Sequence, residues 1–255
     1  MSKIFTVFTF CLFASVSLLA QKSQEFYEIK IYHLKTDAQE KILDSYLEHA
    51  LIPALHRLGF ANIGVFKPID ADTMRKLYVL IPYQSLNDVT KTQEQLVKDK
   101  IYLQAGKEYI ETPHSSPAFT RLETIHLKAF SHHPKLKLPK LKGSRNERIY
   151  ELRSYESHTE KIFKNKVHMF NEGGEVVLFD RLGFNAVFYG EVLAGSHMPN
   201  LMYMTTFENK AERDAHWKSF GDDAEWKKLS SMPEYQKNVS HIDIFFLRPT
   251  AYSDY

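Results

Sequence analysis

Met198 to Leu229, reading MPNLMYMTTFENKAERDAHWKSFGDDAEWKKL, is the stretch on which the fold turns. Leu201 to Phe207 is apolar and aromatic enough for a buried strand. Asn209 stands three residues before Glu212, the spacing of a helix cap with a returning side chain. A helix from Ala211 then offers Ala215, Trp217 and Phe220 for packing, with Trp226 and Leu229 after an expected break at Gly221. A strand feeding an aromatic-rich helix is half of a βαββαβ unit. Leu77 to Tyr83 followed by Ser85 to Lys100 has the same design, so the chain is built twice.

Working outward, Tyr27-Glu-Ile-Lys-Ile-Tyr-His alternates apolar and polar residues, as a strand with two different faces does. Thr36 and Gln39 form a capping box, and the next helix carries Leu43, Tyr46, Leu47, Ala50, Leu51, Ala54 and Leu58 on one stripe. Pro53 is expected to kink it, and Gly59 to end it as a left-handed cap. Ala61 to Lys67, Met74 to Tyr83 and Thr120 to Leu127 read as further strands, with residues 102–118 as an irregular insert. The second half replays the order. Tyr150-Glu-Leu-Arg-Ser-Tyr follows Tyr27-Glu-Ile-Lys-Ile-Tyr by 150 − 27 = 123 residues. Arg181-Leu-Gly-Phe follows Arg57-Leu-Gly-Phe by 181 − 57 = 124, and Tyr203 is matched to Tyr78. Ser157 and Glu160 suggest the cap of its first helix, Gly173-Gly174 a break within it, and His241 to Leu247 the last strand.

The expected organisation is a signal peptide over residues 1–20, a first repeat over 21–127, a linker over 128–147, a second repeat over 148–249 and a tail over 250–255. Lys3, the apolar run Ile4 to Leu19 and Ala20 before a polar stretch carry the first of these, and imply a secreted or periplasmic protein with no membrane attachment after cleavage. Cys11 is the only cysteine and lies in that leader, so the remaining chain has no disulfide and no thiolate chemistry. With 33 basic against 31 acidic residues, nothing points to nucleic acid as a partner. The spaced lysines and prolines of 128–147 read as a solvated connector.

A duplicated βαββαβ chain whose second half opens with Ile149-Tyr-Glu-Leu-Arg-Ser-Tyr resembles the NIPSNAP family. Pro199-Asn-Leu-Met-Tyr-Met, followed by Ala211-Glu-Arg, Trp217, Phe220, Trp226 and Met232, is similar to its bacterial branch. The resemblance is strongest over residues 148–249, and the tryptophan- and histidine-rich strand of the mitochondrial members is missing. It implies an α+β fold in which two ferredoxin-like βαββαβ repeats pair their sheets as a dimeric α/β barrel within one chain. Fold is what such a resemblance carries; chemistry has to come from the site.

For that site, the apolar set Tyr150, Leu152 and Ser154 is expected beneath helices, which turns Glu151, Arg153 and Tyr155 into the lumen. Glu28, Lys30 and Tyr32 repeat them, and Arg121, Glu123, Glu191, His241 and Asp243 join from other strands. Glu151, Arg153, His241 and Asp243 are the candidates for acid–base work; the other residues would contact a ligand. The competing reading is a set of structural ion pairs. There is no H-E-x-x-H, no G-x-S-x-G and no phosphate-cradling loop, and no bound cofactor or metal is implied. Three functions follow: a barrel binding a small molecule between its sheets, with or without catalysis; an interaction module; or a haem barrel using His241 or His197. Pairing with a second copy is left open.

Overall fold

The computed structural model describes residues 23–69 and 75–255. The signal-peptide reading and the start of the third strand at Met74 fall outside the described residues. The first half runs β1 (Phe26–Leu34), α1 (Asp37–Tyr46), α2 (Ile52–Arg57), β2 (Gly64–Pro68), β3 (Arg75–Tyr83), α3 (Asn87–Leu96), α4 (Lys100–Ala105), α5 (Lys107–Ile110) and β4 (Arg121–Ala129). The second runs β5 (Ile149–Glu156), α6 (Glu160–Asn171), α7 (Glu175–Arg181), β6 (Phe188–Ala194), β7 (Asn200–Phe207), α8 (Lys210–Asp222), α9 (Ala224–Ser231) and β8 (His241–Pro249).

Local chemistry explains the boundaries. Thr36 Oγ1 accepts from the Gln39 N–H at the start of α1, and Asn209 Oδ1 from the Glu212 N–H at the start of α8. Pro53 has no N–H to return to the carbonyl four residues back. The helix adapts by widening into one π turn over Leu47–Leu51, where the Ile52 N–H reaches the Leu47 carbonyl. Gly59 and Gly183 both take left-handed φ, +88° and +76°. Each is followed by a residue whose N–H reaches back into the helix, Phe60 to Leu55 at 3.0 Å and Phe184 to Phe179 at 3.1 Å.

Some expected boundaries move. Thr159, not Ser157, caps α6, its side chain accepting from the Ile162 N–H. Gly221 stays inside α8, and the break comes at Asp223, whose carboxylate caps α9. Residues 102–118 are not irregular throughout, because α4 and α5 occupy much of that stretch. Asp99 caps α4 and pairs with Arg57, and Asp223, 124 residues on, caps α9 and pairs with Arg181. The insert is therefore the first half's counterpart of α9.

All strands join one closed barrel in the order β1-β3-β2-β8-β5-β7-β6-β4, with antiparallel neighbours throughout. The two ferredoxin-like sheets meet at β2–β8 and β4–β6, so one chain forms the dimeric α/β barrel. One core cluster draws on every strand and on no helix: Tyr27, Ile29, Phe66, Tyr78, Leu127, Tyr150, Leu152, Phe188, Met202 and Leu247 belong to it. It is the lumen filling, and Tyr255 closes one end of it by packing on Phe66 and Tyr150. Two other clusters lie between the sheets and their helices.

The expected strand faces are thus reversed. Tyr150, Leu152 and Ser154 point inward, and Glu151, Arg153 and Tyr155 lie under the helices; Glu28, Lys30 and Tyr32 do likewise. A narrow barrel cannot solvate its interior, so the aromatic and aliphatic stripe goes inside. The match of Tyr203 to Tyr78 is also off by one, since Tyr78 is luminal and Tyr203 faces helices. The register makes Val79, opposite Lys30, the counterpart of Tyr203, opposite Arg153.

The connector is not wholly solvated either. Phe130 and His133 are buried, and Leu136 packs against the lumen cluster. Burial, with the nearby Lys137 charge, pushes the His133 imidazole down to about 4. The unfolded chain takes up this proton near pH 6.5 and the folded one only near 4, so stability present at neutral pH is lost as pH falls between the two. Denaturant titrations at pH 7 and 5 should show His133→Leu losing about 2 kcal/mol less than the parent on acidification. Equal losses would refute the burial argument.

Candidate functional site

Three polar regions result. The first is a saturated network under α8. Burial works to raise the Glu151 carboxyl, but hydrogen bonds and charge from Arg213 and Arg153 outweigh it and leave the pKa below the usual range. Glu151 accepts from Arg153 Nε at 2.6 Å, from Arg213 at 2.7 and 2.9 Å, and from Trp217 Nε1 at 2.9 Å. The Arg153 guanidinium lies 3.7 Å from the Trp217 ring centroid and donates to the Tyr155 hydroxyl at 2.7 Å. Tyr203 donates to that same hydroxyl. With its acceptors filled and no solvent contact, Glu151 has no proton to exchange with a substrate. The ion-pair reading describes Glu151, Arg153 and Tyr155, although their further partners come from α8 and not across the lumen.

The second region is one mouth of the barrel, where strand ends bring together residues distant in sequence. His33 and Glu123 are 2.5 Å apart, and Ser196 donates to Glu123 at 3.0 Å. Burial acts to raise Glu123, but the bonds from His33 and Ser196 hold it below the ordinary carboxylate range. His197 Nδ1 lies 2.9 Å from Glu156, and His241 Nε2 lies 3.1 Å from Asp243. A cavity of about 70 Å³ lies here, lined by Lys76, Glu123, Ser154, Ser196, His197, Asn200 and Asp243 among others. Among the expected site residues, Glu123, His241 and Asp243 gather here, and Arg121 is exposed on the rim. His33 and Glu156 were not in the expected set, and His197 was expected only as a haem ligand. Glu156 and His33 sit on the luminal face by strand parity, a signal available in the sequence once the faces are assigned correctly.

The third region is a half-enclosed cavity of about 230 Å³ between the first sheet and its helices, under the π turn. Lys30, Thr92 and Tyr32, Tyr46, Tyr83, Tyr102 and Tyr109 line it. Tyr46 stacks on Tyr109 at 3.8 Å, and the Tyr46 and Tyr102 hydroxyls are 2.9 Å apart. Burial pushes the pKa of each of these phenols up, so they stay protonated. Glu28 is buried behind Lys30, 3.4 Å from its Nζ, and accepts from the Tyr83 hydroxyl at 3.2 Å. Glu191 belongs to none of these regions; it faces outward and pairs with Lys164.

The sequence model of the NIPSNAP family matches residues 150–254, and no curated protein matches the chain. The second half is a NIPSNAP domain. Among solved structures, the whole chain is similar to a protein of Lactobacillus acidophilus provisionally named a monooxygenase, at 10% identity and a TM-score of 0.59, covering 89% of this chain and 94% of that one. A similarly named protein of Fusobacterium nucleatum subsp. nucleatum matches at 8% and 0.57, covering 89% and 93%. Chlorite dismutase from Candidatus Nitrospira defluvii matches at 8% and 0.51, covering 91% and 93%. At these identities the likeness is one of fold.

Within the NIPSNAP domain, Trp217 and Arg213 fill the space over Arg153. The shared 124-residue offset of Asp99 and Asp223 places Gln93 at the counterpart of Trp217 and Val89 at that of Arg213. Those smaller residues leave the first-half cavity open. A porphyrin does not fit the 70 Å³ mouth, and the NIPSNAP domain's sheet–helix space is occupied by Trp217, Phe179 and Phe170, so neither of these two places suits a haem.

Replacing Glu151 by Gln should cost about 3–5 kcal/mol, because two arginines are left without their buried counter-charge. The lowered pKa of Glu151 also means that its contribution is present above its unfolded value and disappears as pH falls through the folded one. Urea midpoints from pH 7 down to 3 should therefore fall less steeply for Glu151→Gln than for the parent. Parallel curves would show that the network is energetically silent.

Proposed function

We propose that the protein binds a small planar molecule, and that the site is the first-half cavity and not the space between the sheets. The observation that carries this reading is the asymmetry of the repeat: the space filled by Trp217 in the NIPSNAP domain is left open beside Gln93. An apolar cavity of about 150 Å³ is enough to take up benzene, and this one is larger and has polar handles. The tyrosine rings offer flat faces, and Lys30 with the protonated phenols offers donors to a ligand oxygen. The chemistry favours a phenol, quinone or aromatic carbonyl. Lys30 and Tyr32 keep the ligand-binding role expected of them, at a different place in the fold. The monooxygenase names of two similar barrels are compatible with a small-molecule substrate. In this cavity the phenols act as hydrogen-bond donors and not as bases, so the reading is one of binding and orientation. Export and homodimerisation belong to the same proposal, the first on the N-terminal sequence and the second on the barrel family.

The test uses Gln93→Trp, which transplants the filling residue of the NIPSNAP domain. A panel of phenols and benzaldehydes, scored by thermal shift and calorimetry, should contain binders for the parent. Gln93→Trp should lose at least about tenfold in affinity for them while melting at the same temperature or higher. Binding that survives Gln93→Trp, or a panel without any binder, would overturn the assignment.

A further inference from the structure

The barrel mouth carries a separate inference, resting on none of the cavity residues just described. Glu156, His197 and Asp243 each offer one donor atom, and the three atoms lie within 4.8 Å of one another. They come from the end of β5, the β6–β7 loop and the start of β8, and the pairing of β5 with β7 and with β8 in the second-half sheet brings them together. Asn200 supplies an independent observation. It is 1% exposed, lines the same cavity and hydrogen-bonds to Ser154 Oγ at 2.8 Å, yet its Oδ1 has no partner. A buried amide oxygen without a donor is costly, and a cation or its water shell satisfies it. The charges agree, since Glu123, Glu156 and Asp243 converge where Lys76 is, among the described residues, the one lysine or arginine lining the cavity.

We propose that Glu156, His197 and Asp243 bind a divalent first-row transition-metal ion at this mouth. Metal–ligand distances are about 2.1 Å for imidazole and carboxylate donors, so a small side-chain rotation brings all three atoms onto one ion. Two carboxylates and an imidazole without sulfur suit Zn²⁺, Mn²⁺ or Fe²⁺ better than a soft ion. His241, held 3.1 Å from Asp243, is a positioning residue that orients the carboxylate. Three protein ligands leave coordination positions open, and these face the 70 Å³ cavity, which has room for water or one small oxygen ligand beside Ser154 and Asn200.

The experiment is calorimetry with Zn²⁺ alone on untagged, chelator-stripped protein, together with the visible spectrum of the Co²⁺ form. One equivalent should bind, with a dissociation constant below about 100 µM. His197→Ala and Asp243→Asn should each weaken binding by about tenfold or more, and His49→Ala should not. His49 is the control because it is an exposed histidine beside a carboxylate, Glu48, elsewhere on the surface. His197 is itself exposed, so His197→Ala remains informative if Asp243→Asn perturbs folding, which circular dichroism reports. The absence of saturable binding, or affinities equal in the parent and His197→Ala, would overturn the proposal. Gln93→Trp should leave Zn²⁺ binding unchanged, so failure of the cavity reading and failure of the metal reading are separable.

Discussion

Closure of eight strands on themselves leaves an interior that side chains fill, and everything else in this protein follows from how that space is used. Tyr27, Phe66, Tyr150, Phe188 and Tyr255 occupy it, in contact through ring pairs about 5–6 Å apart. Because strand side chains alternate, assigning the aromatic stripe to the lumen sends the charged stripe beneath the helices. Charges there must find partners in a dry layer. Glu151 finds two arginines and a tryptophan, Glu175 finds Lys166 at 2.9 Å, and Glu28 finds Tyr83 and Lys30. The α8 sequence, with Arg213 and Trp217 on one face, answers the demand made by β5.

Duplication then gave the two halves one frame and different contents. The frame is visible in matched details: left-handed glycines just past α2 and α7, and the arginine that ends each of those helices pairing with the aspartate that caps α4 or α9. The contents diverge on the helix that covers the polar stripe. Trp217 makes the NIPSNAP half a packed structural body, while Gln93 leaves the other half with a tyrosine-lined space. A symmetric frame and asymmetric packing under the helices are compatible because the lumen and the strand pairing are shared by both halves. A cavity under one helix layer removes packing locally and leaves the seams β2–β8 and β4–β6 intact.

The open mouth has a different logic. Strand ends are where the lumen meets water, so luminal positions there turn polar: His33, Glu123, Glu156, His241 and Asp243 all keep the inward parity of their strands. Separated by up to 243 − 33 = 210 residues, they converge only because the last strand returns beside β5 and the first half's β4 meets β6. At the opposite end Tyr255 packs on Phe66 and Tyr150.

The pairing of the two sheets in one chain followed from the family resemblance, whereas the order of the strands and the duplication were determined by the sequence itself. Those depend on local signals: period-two alternation, caps such as Thr36 and Asn209, and the repeated Leu-Gly-Phe helix ends. It also held the residues of the mouth, though scattered. What only the tertiary structure decided was which strand face is inside. Alternation states that a strand has two faces, and a polar face is ordinarily the wet one; in Tyr150 to Tyr155 both faces are buried, one in the lumen and one under α8. The choice between them depends on lumen width and on what a helix sixty residues away can offer to a carboxylate. Neither quantity is a property of the strand's own residues, which is why Glu151 and Arg153 read as a luminal pair and stand instead as the buried anchor of a helix.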